Sequence, residues 1–516
     1  MDQKANQRAV VWSVAGSDSG GGAGLAADLR AIDAFELHGC SVVAAITAQN
    51  STAVDRIAPV STELLEAQLA ALSVDMAPAA IKTGMLGSAE NLQVLVRWID
   101  RLRAQQPQLA VVVDPVLRSS TGAAFADAAL LHAYRTQLLP RASLITPNRS
   151  EAAALLGVAP LQHRMDVERA AQSLLVMGCQ AVVITGGDAA GESSEDYLVT
   201  PHAVGWLRLA RVATPHHHGT GCVFAASAAA ALARGFVAVD AIVLAKMATT
   251  QALRHAYAAG HGAGPVRPRT DFAQHSSNLP SFAIPGQRAG LSFPALLDPE
   301  LGLYAVVDSA AWVQRVLAAG VRTVQLRIKD ALHPALQQEL RHAIAAARAT
   351  GAQLFINDHW ALAIELGAYG VHLGQEDLAT ADLAAIARAG LRLGVSTHSY
   401  WEVCRAWGVK PSYIACGPIH ATQAKAMPWV PQGSDNLAYW CTLLPAPVVA
   451  IGGMDTTRTT EAAQCGAAGV ALISAITGAA APEREIARLL QAMQAGISLP
   501  RRGAPTLPRT TLLATD

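Results

Sequence analysis

The stretch His216-His217-His218-Gly219-Thr220-Gly221-Cys222 runs directly into an alanine-rich segment, Val223 to Ala233. The alanines favour a helix, so the stretch predicts a glycine turn that opens into one. Gly219 and Gly221 let the backbone approach a ligand, and the free N–H groups and positive dipole of a helix start attract an anion. Cys222 falls in the first turn, where we expect a lowered thiol pKa. The alternative is an ordinary glycine loop before a buried helix.

The composition limits the possible classes of protein. A chain of 516 residues is too long for one core, so two or three domains are expected. Lys+Arg and Asp+Glu balance at 39 each, which gives no electrostatic reason to expect nucleic acid or a membrane as partner. Seven cysteines without metal spacing indicate reduced thiols, and the polar start of the chain does not resemble a signal peptide. We therefore expect a cytoplasmic protein.

Short apolar runs alternate with Ala/Leu-rich helical segments from residue 9 to about 260. The runs predicted as strands are Val10–Ala15, Ser41–Ile46, Ala79–Lys82, Leu109–Val113, Leu144–Thr146 and Ala181–Ile184. Nearly continuous apolar strands between helices indicate a doubly wound α/β domain with a parallel sheet. Ligands of such domains bind beyond the carboxyl ends of the strands, where this sequence places its glycines and polar residues.

A second regular region is expected over residues 299–490, after a linker at 261–298. Its predicted strands are Leu303–Val307, Thr323–Leu326, Gln353–Ile356, Gly370–Leu373, Arg392–Val395, Tyr413–Cys416, Val448–Ile451 and Gly469–Ile473. Eight βα units in about 200 residues predict a TIM (β/α)8 barrel. Residues 498–516 lack periodicity and are predicted to be a disordered tail.

Three features of the first region suggest nucleotide chemistry. The glycine turn Gly16–Gly24 lies between a strand and a helix. Asn148 and Glu151 are spaced i, i+3, which suits Mg²⁺ bridging nucleotide phosphates but equally suits a helix capping box. Asp114 ends another strand and is a further carboxylate of the right kind.

Several motifs occur in a fixed order: Gly16–Gly24, Ala48-Gln49-Asn50, Lys82-Thr83-Gly84-Met85, Asp114-Pro115, Thr146–Glu151 and His218–Cys222. Together they resemble the hydroxymethylpyrimidine/phosphomethylpyrimidine kinases of thiamine biosynthesis, which have a ribokinase-like fold. The resemblance implies that Gln49 and the turn containing Asp18 bind the pyrimidine and that Asn148 and Glu151 serve Mg-ATP.

The same resemblance implies that the amides from Gly219 to Cys222 cradle the transferred phosphoryl group. Cys222 stands where sugar kinases of this fold carry an aspartate base. Thr185 departs from the pattern, since lysine is common there, and this puts one phosphate contact in doubt.

Charged and amide residues also end the strands of the second region. Alternation puts Gln325, Arg327 and Lys329 on one face, which suits a pyrophosphate. Asp358 and Asp377 follow neighbouring strands and could bind Mg²⁺, the alternative being a structural ring of salt bridges.

These motifs resemble thiamine-phosphate synthase over residues 301 to about 480. The resemblance implies a pyrimidine pyrophosphate site of Gln325, Arg327, Lys329, Asn357, Ser396 and Lys425, a metal site of Asp358 and Asp377, and a thiazole phosphate site of Thr422, Gly453, Ile473 and Ser474. Ile328, His359 and Ala424 depart from the usual Glu, Arg and Thr.

The sequence therefore predicts a bifunctional enzyme, with ATP and Mg²⁺ in the kinase reaction, small-molecule substrates throughout, and a homo-oligomer, expected to be a dimer. Two alternatives stay open. One is a pyridoxal-type kinase fused to a barrel resembling the thiazole tautomerase, and the other is a pyrimidine sensor without activity.

Overall fold

The computed structural model describes residues 8–117, 125–283, 290–422 and 428–512. The chain forms two compact units, one reaching to Pro280 and one that begins at Ser281. Within the described residues, none of the helices is long and apolar enough to cross a membrane.

The first unit is a sheet with helices on its faces. Its strands are β1 (Val10–Ser17), β2 (His38–Gln49), β3 (Val54–Pro59), β4 (Ala80–Thr83), β5 (Ala110–Val113), β6 (Leu144–Ile145), β7 (Val182–Ile184), β8 (Ser193–Val199) and β9 (Val204–Ala210). Its α-helices are α1 (Gly24–Ala34), α2 (Thr62–Asp75), α3 (Ala89–Gln105), α4 (Ala128–Ala133), α5 (Arg149–Leu156), α6 (Arg164–Val176), α7 (Thr220–Ala233) and α8 (Ala238–Arg254).

The strands of this unit follow the order β9-β8-β7-β6-β5-β4-β1-β2-β3. The neighbours from β2 to β7 pair in parallel, which confirms the doubly wound arrangement. The sequence analysis missed β3, β8 and β9, which pair antiparallel at the two edges. These strands carry charged residues and are partly exposed, so they lack the continuous apolar run of a buried parallel strand.

The predicted alanine helix is confirmed as α7, and every residue from Val223 to Ala231 is buried in it. Its small side chains permit close packing against α1 and α8 on either side. The turn before it therefore reaches the edge of the sheet at which β1, β4 and β5 end.

The predicted linker at 261–298 needs correction at both ends. Residues 261–280 pack on the first unit, where Phe272 is 1% exposed and Leu279 is also buried. Residues 294–297 close the base of the second unit: Ser412 donates to the Pro294 carbonyl and the Leu297 N–H donates to Tyr369. Residues 284–289 lie outside the described part.

The second unit is a closed barrel with the strands in chain order. They are β11 (Gly302–Val307), β12 (Thr323–Leu326), β13 (Gln353–Asn357), β14 (Gly370–Leu373), β15 (Arg392–Thr397), β16 (Tyr413–Cys416), β17 (Val448–Ile451) and β18 (Gly469–Leu472), preceded by the short strand β10 (Ser281–Ala283). All eight predicted barrel strands are confirmed within a residue or two.

Helices surround the barrel as the (β/α)8 prediction requires. They are α9 (Ala310–Ala318), α10 (Leu336–Thr350), α11 (Trp360–Glu365), α12 (Gln375–Thr380), α13 (Leu383–Arg388), α14 (Tyr400–Val409), α15 (Gly433–Leu443), α16 (Thr456–Gln464), α17 (Ser474–Thr477) and α18 (Pro482–Ile497). The predicted disordered tail is wrong for residues 499–512, because Leu507 and Leu512 are buried against this unit. Residues 513–516 lie outside the described part.

We expect Phe272→Ala to lower the free energy of unfolding of the first unit by about 3–5 kcal/mol, because the ring is buried and packs 4.6 Å from the Phe35 ring. Scanning calorimetry measures the effect. The matched control is Leu297→Ala, also in the predicted linker but 73% exposed, which should cost under about 0.5 kcal/mol. Equal effects of the two changes would show that residues 261–280 behave as a linker.

Candidate functional site

A cluster of buried charged side chains lies close to Cys222, in the turn that opens α7. Lys82, at the end of β4, is fully buried, and its Nζ lies 2.9 Å from Asp28 and 3.3 Å from Asp114. Ser13 donates a second hydrogen bond to Asp28 at 2.5 Å. Burial alone would lower the pKa of Lys82, but the neighbouring carboxylates outweigh it and raise that pKa, so the lysine stays charged. The cluster therefore holds Lys82, Asp28 and Asp114 together as a buried ion-paired group.

Cys222 contradicts the expected lowering of its thiol pKa. Burial raises the pKa of the thiol to about 12, even though Lys82 lowers it and the Gly24 N–H also stabilises the thiolate. Desolvation therefore outweighs the helix start and the lysine, and Asp28 and Asp114 add further negative charge. Burial and the two neighbouring carboxylates therefore favour the neutral thiol over the thiolate.

The turn before α7 has the geometry of an anion cradle. Gly219 adopts φ +85°, and a Cβ there would lie 2.1 Å from the Gly22 carbonyl oxygen, so only glycine fits. Gly221 is exposed, and no atom of the described chain would meet a Cβ placed on it. A ligand can therefore reach the backbone at Gly221 from the solvent side.

Asn148 and Glu151 form a capping box, the structural alternative considered for them. Glu151 accepts from the Asn148 N–H and Asn148 Oδ1 accepts from the Glu151 N–H, each at 2.9 Å. Burial and the nearby Asp114 raise the pKa of Glu151 to about 8. The Asp114 Oδ2 atom is buried, and the Lys82 Nζ atom lies 3.3 Å from it. Asp114 and Glu151 are the carboxylates that would hold a cation such as Mg²⁺ here.

Thr185 lies beside this pair of carboxylates. Its N–H donates to the Pro147 carbonyl at 2.9 Å, and it forms an isolated bridge with Asn148. The departure from lysine therefore falls next to the expected nucleotide residues, and a hydroxyl at this position supplies no positive charge.

The carboxylate of Asp18 is held by hydrogen bonds from its own loop and from His218. Its carboxylate accepts from the N–H groups of Gly20, Gly22 and Ala23, and it lies 3.0 Å from His218 Nε2. Burial alone would raise the pKa of Asp18, but the hydrogen bonds from His218 and the amides lower it. The carboxylate thus connects the glycine turn after β1 to the phosphate turn before α7.

Gln49 ends β2 beside that loop and is half-buried, and its backbone carbonyl accepts from Ser19. The segment after α8 supports the same loops. The Gly262 N–H donates to Ser51 at 3.1 Å, while the His218 N–H donates to the Gly264 carbonyl at 3.1 Å. Part of the predicted linker therefore holds the loops of the first site.

Asp358 and Asp377 lie side by side at the carboxyl ends of the barrel strands. Burial and the neighbouring Asp377 together raise the pKa of Asp358 to about 6, while Asn357 and Arg327 lower it. Asp358 has φ +62°, which is uncommon outside glycine and turns its carboxylate away from the ordinary strand direction. Within the described residues no group of three or more His, Cys, Asp or Glu is placed to hold a metal, so a cation here would have this pair as its carboxylate ligands.

A chain of buried polar side chains crosses the barrel below this pair. Gln325 donates to Tyr304 at 3.3 Å, the hydroxyls of Tyr304 and Tyr413 lie 2.8 Å apart, and Tyr413 lies 2.7 Å from His372 Nδ1. His372 Nε2 lies 2.8 Å from Ser396. Burial lowers the pKa of His372 to about 4, so the imidazole is neutral and relays hydrogen bonds rather than charge.

The other predicted pyrophosphate residues differ in burial. Asn357 is buried and donates to Asp358 at 2.5 Å, Arg327 is half-buried, and Lys329 is exposed. Strand β12 ends at Leu326, so Arg327 and Lys329 extend beyond the sheet. Lys425 lies outside the described residues, as does Ala424.

The departures Ile328 and His359 are in contact. His359 Nε2 lies 2.8 Å from the Ile328 carbonyl oxygen. The residues usual at these positions are of opposite charge, so the absent glutamate is matched by an absent arginine.

The predicted thiazole phosphate residues converge from three loops. A Cβ on Gly453 would lie 2.5 Å from the Ala421 carbonyl oxygen, which brings the loop after β17 against the loop containing Thr422. Ile473 and Ser474 lie where β18 passes into α17. These residues follow β16, β17 and β18, and phosphate groups commonly bind beside the last two strands of a TIM barrel.

The sequence analysis did not select Lys82, Asp28, Tyr304, His372 or Tyr413. The available signal was a charged or polar residue inside an otherwise apolar strand run, as in Ala80-Ile81-Lys82 and Gly370-Val371-His372. Such residues require buried partners, which only the tertiary structure identifies.

Comparison with known proteins agrees with the division of the chain. Residues 18–267 match the phosphomethylpyrimidine kinase family, and residues 303–476 match the thiamine monophosphate synthase family. The first unit is 32% identical to a pyridoxal kinase of Bacillus subtilis solved with ADP, covering 51% of this chain and 98% of that one with a TM-score of 0.47. It is 30% identical to phosphomethylpyrimidine kinase of Clostridium difficile 630, covering 48% and 100% with a TM-score of 0.42.

Curated relatives extend the agreement to the whole chain. The chain is 34% identical over 482 residues to a probable chloroplastic thiamine biosynthetic bifunctional enzyme of Oryza sativa subsp. japonica, covering 90% of this chain and 85% of the relative. Its barrel is 53% identical over 203 residues to thiamine-phosphate synthase of Serratia proteamaculans, covering 39% of this chain and 95% of the relative. These matches favour the bifunctional enzyme over the tautomerase and sensor alternatives. The chain therefore belongs to the family of bifunctional thiamine biosynthetic enzymes, with a phosphomethylpyrimidine kinase domain followed by a thiamine-phosphate synthase domain.

Proposed function

We propose that the first site phosphorylates hydroxymethylpyrimidine twice with Mg-ATP and that the second site joins the resulting pyrophosphate to thiazole phosphate. The main support for this proposal is the position of the predicted site residues. In each unit they lie at or beyond the carboxyl ends of the strands, and their motifs follow one another along the chain in the same order as in the two families. The product of the first unit is then the substrate of the second.

In the first phosphorylation, the substrate hydroxyl oxygen forms a bond to the γ-phosphorus of ATP, its proton passes to a phosphate oxygen or to solvent, and the bond to the bridging oxygen of ADP breaks. In the second, an oxygen of the new phosphate group attacks in the same way. The N–H groups at Gly219–Cys222 would hold the transferred group. Mg²⁺ would be held near Asp114 and Glu151 and would neutralise phosphate charge. The transition state is loose, so positioning and charge contribute more than a strong base, consistent with a protonated Cys222.

In the condensation, the carbon–oxygen bond to pyrophosphate breaks and a carbon–nitrogen bond to the thiazole forms. Arg327, Lys329 and Asn357 would stabilise the departing pyrophosphate, and a Mg²⁺ ion held by Asp358 and Asp377 would neutralise its charge. The neutral His372 holds Ser396 in position for the same substrate.

We further propose a homodimer and a cytoplasmic location. The edge strand β3 and the 55% exposed Ile46 on its neighbour β2 support pairing with a second copy. All seven cysteines are free thiols, which suits a reducing compartment. Light scattering on the purified protein and on Ile46→Glu tests the dimer: a monomeric parent protein would contradict it.

The direct test of the activity supplies the purified protein with ATP, Mg²⁺, hydroxymethylpyrimidine and thiazole phosphate. We expect thiamine phosphate to form and to depend on all four components. Failure to form it from these components, but success from added pyrimidine pyrophosphate, would place the defect in the kinase unit.

For Cys222 we expect the kinase rate to show no inflection from the thiol between about pH 6 and pH 9, because burial raises its pKa to about 12. The thiol is therefore protonated throughout that range. The measurement is kcat/KM against pH for the wild type and for Cys222→Ser, and the two profiles should have the same shape. An inflection present in the wild type and lost in Cys222→Ser would show that the thiolate is the working form.

For the barrel we expect Asp358→Asn to reduce condensation by about 100-fold or more while kinase activity is unchanged, because one of two adjacent carboxylates for Mg²⁺ is lost. Both rates are measured on the same preparation, so the kinase serves as the folding control. The matched control is Glu376→Gln, an exposed carboxylate next to Asp377. Equal loss of condensation in the two variants would contradict a specific metal role.

A further inference from the structure

The C-terminal strap, defined as residues 499–512, follows the last barrel helix and lies beyond the part of the chain that matches the synthase family, which ends at residue 476. Hydrogen bonds along the strap attach it to the second unit. The Arg502 N–H donates to the Gln464 carbonyl at 3.0 Å, and the Val430 N–H donates to the Thr511 carbonyl at 2.8 Å. Leu512 is 4% exposed and pairs with Trp429 as an isolated bridge.

Arg509 makes the central contacts of the strap. Its guanidinium donates to the carbonyl oxygens of Pro431 at 2.8 Å and Gln432 at 3.2 Å. Its backbone N–H and carbonyl both pair with the side-chain amide of Asn436, each at 3.0 Å. Asn436 is 1% exposed, so the strap satisfies a buried amide that would otherwise need other partners.

Gln432 connects Arg509 to the synthase site. Its buried side chain donates to the Gly417 carbonyl at 3.2 Å and accepts from Trp440 at 2.9 Å. Its own N–H donates to the Pro418 carbonyl at 2.8 Å. Gln432 therefore fixes the turn that begins where β16 ends, on the reactive side of the barrel.

That turn packs against the glycines after β17. The N–H groups of Ile419 and His420 donate to the carbonyls of Ile451 and Gly452 at 2.9 and 3.0 Å. A Cβ on Gly452 would lie 2.7 Å from Pro418 Cα, so the fit is close and displacement of one loop would displace the other. The strap is thus connected through Gln432 to Gly452-Gly453.

We propose that the C-terminal strap is a positioning element for the second substrate of the condensation, with Arg509 acting through Gln432 and not touching substrate. The proposal rests on the proposed assignment of Thr422 and Gly453 to the phosphate of the thiazole. The hydrogen bonds of the strap go to residues 430–436, after β16, and to Gln464, which ends α16. The residues assigned to the pyrimidine pyrophosphate lie at the ends of β12, β13 and β15, with the exception of Lys425, which follows β16. The strap should therefore affect the thiazole phosphate more than the pyrimidine pyrophosphate.

The test measures the KM for each of the two substrates in steady-state condensation. We expect Arg509→Ala to raise the KM for thiazole phosphate about tenfold and to change the KM for pyrimidine pyrophosphate by less than about twofold. A chain ending at Ser498 should reproduce this effect. The matched control is Arg502→Ala, which removes the same charge from the same strap but only an exposed ion pair with Asp435.

Two further measurements separate positioning from general stability. Kinase activity of each variant reports folding of the same chain, and Gln432→Leu, which removes the side-chain hydrogen bonds to Gly417 and Trp440, should also raise the KM for thiazole phosphate. Unchanged thiazole phosphate KM in Arg509→Ala, or an equal rise in both KM values, would overturn the proposal. Should the shortened chain fail to fold, the Arg509 variant decides.

Thr422→Ala, assayed in the same series, tests the assignment on which the strap depends. A raised KM for thiazole phosphate in Thr422→Ala and in Arg509→Ala supports both. A raised KM in Arg509→Ala alone supports the strap and counts against Thr422, whereas a raised KM in Thr422→Ala alone overturns the strap and keeps the assignment.

Discussion

The constraint on which both sites depend is that neighbouring parallel strands end at the same edge of a sheet. Residues that are far apart in the sequence, such as Lys82 and Asp114, are brought together because β4 and β5 pair in parallel and end side by side. The barrel repeats the arrangement in a closed form, where Asp358 and Asp377 follow β13 and β14. In each unit the charged site residues therefore lie together at the carboxyl ends of the strands.

Burial then decides what these charged groups can do. Lys82 remains charged because two carboxylates accompany it into the interior, whereas Cys222 is desolvated beside the same carboxylates and remains a neutral thiol. His372 is likewise neutral and serves as a link between hydroxyl groups. Asp114 raises the pKa of Glu151, and Asp377 raises the pKa of Asp358. A divalent cation at either pair would relieve this repulsion.

Two segments without regular secondary structure hold loops of the two units in place, although their composition suggests a linker and a disordered tail. Residues 261–280 were predicted to be linker because they are rich in glycine and proline, yet their glycines allow close approach to Ser51 and His218 in the first site. Residues 499–512 were predicted to be disordered because they lack a periodic pattern. Their order depends on single polar contacts, above all those of Arg509, and such contacts leave no periodic pattern in a sequence.

The sequence by itself determined the two-unit organisation, the barrel strands and the strand-end residues, because parallel strands buried on both faces require continuous apolar runs and the residues that end them are read directly from the chain. It also identified the family through ordered motifs. Only the tertiary structure decided the protonation state of Cys222, the internal engagement of Asp18, the Ile328–His359 contact and the strap. Each of these depends on which groups from distant parts of the chain meet in the interior, and on how far water is excluded from them.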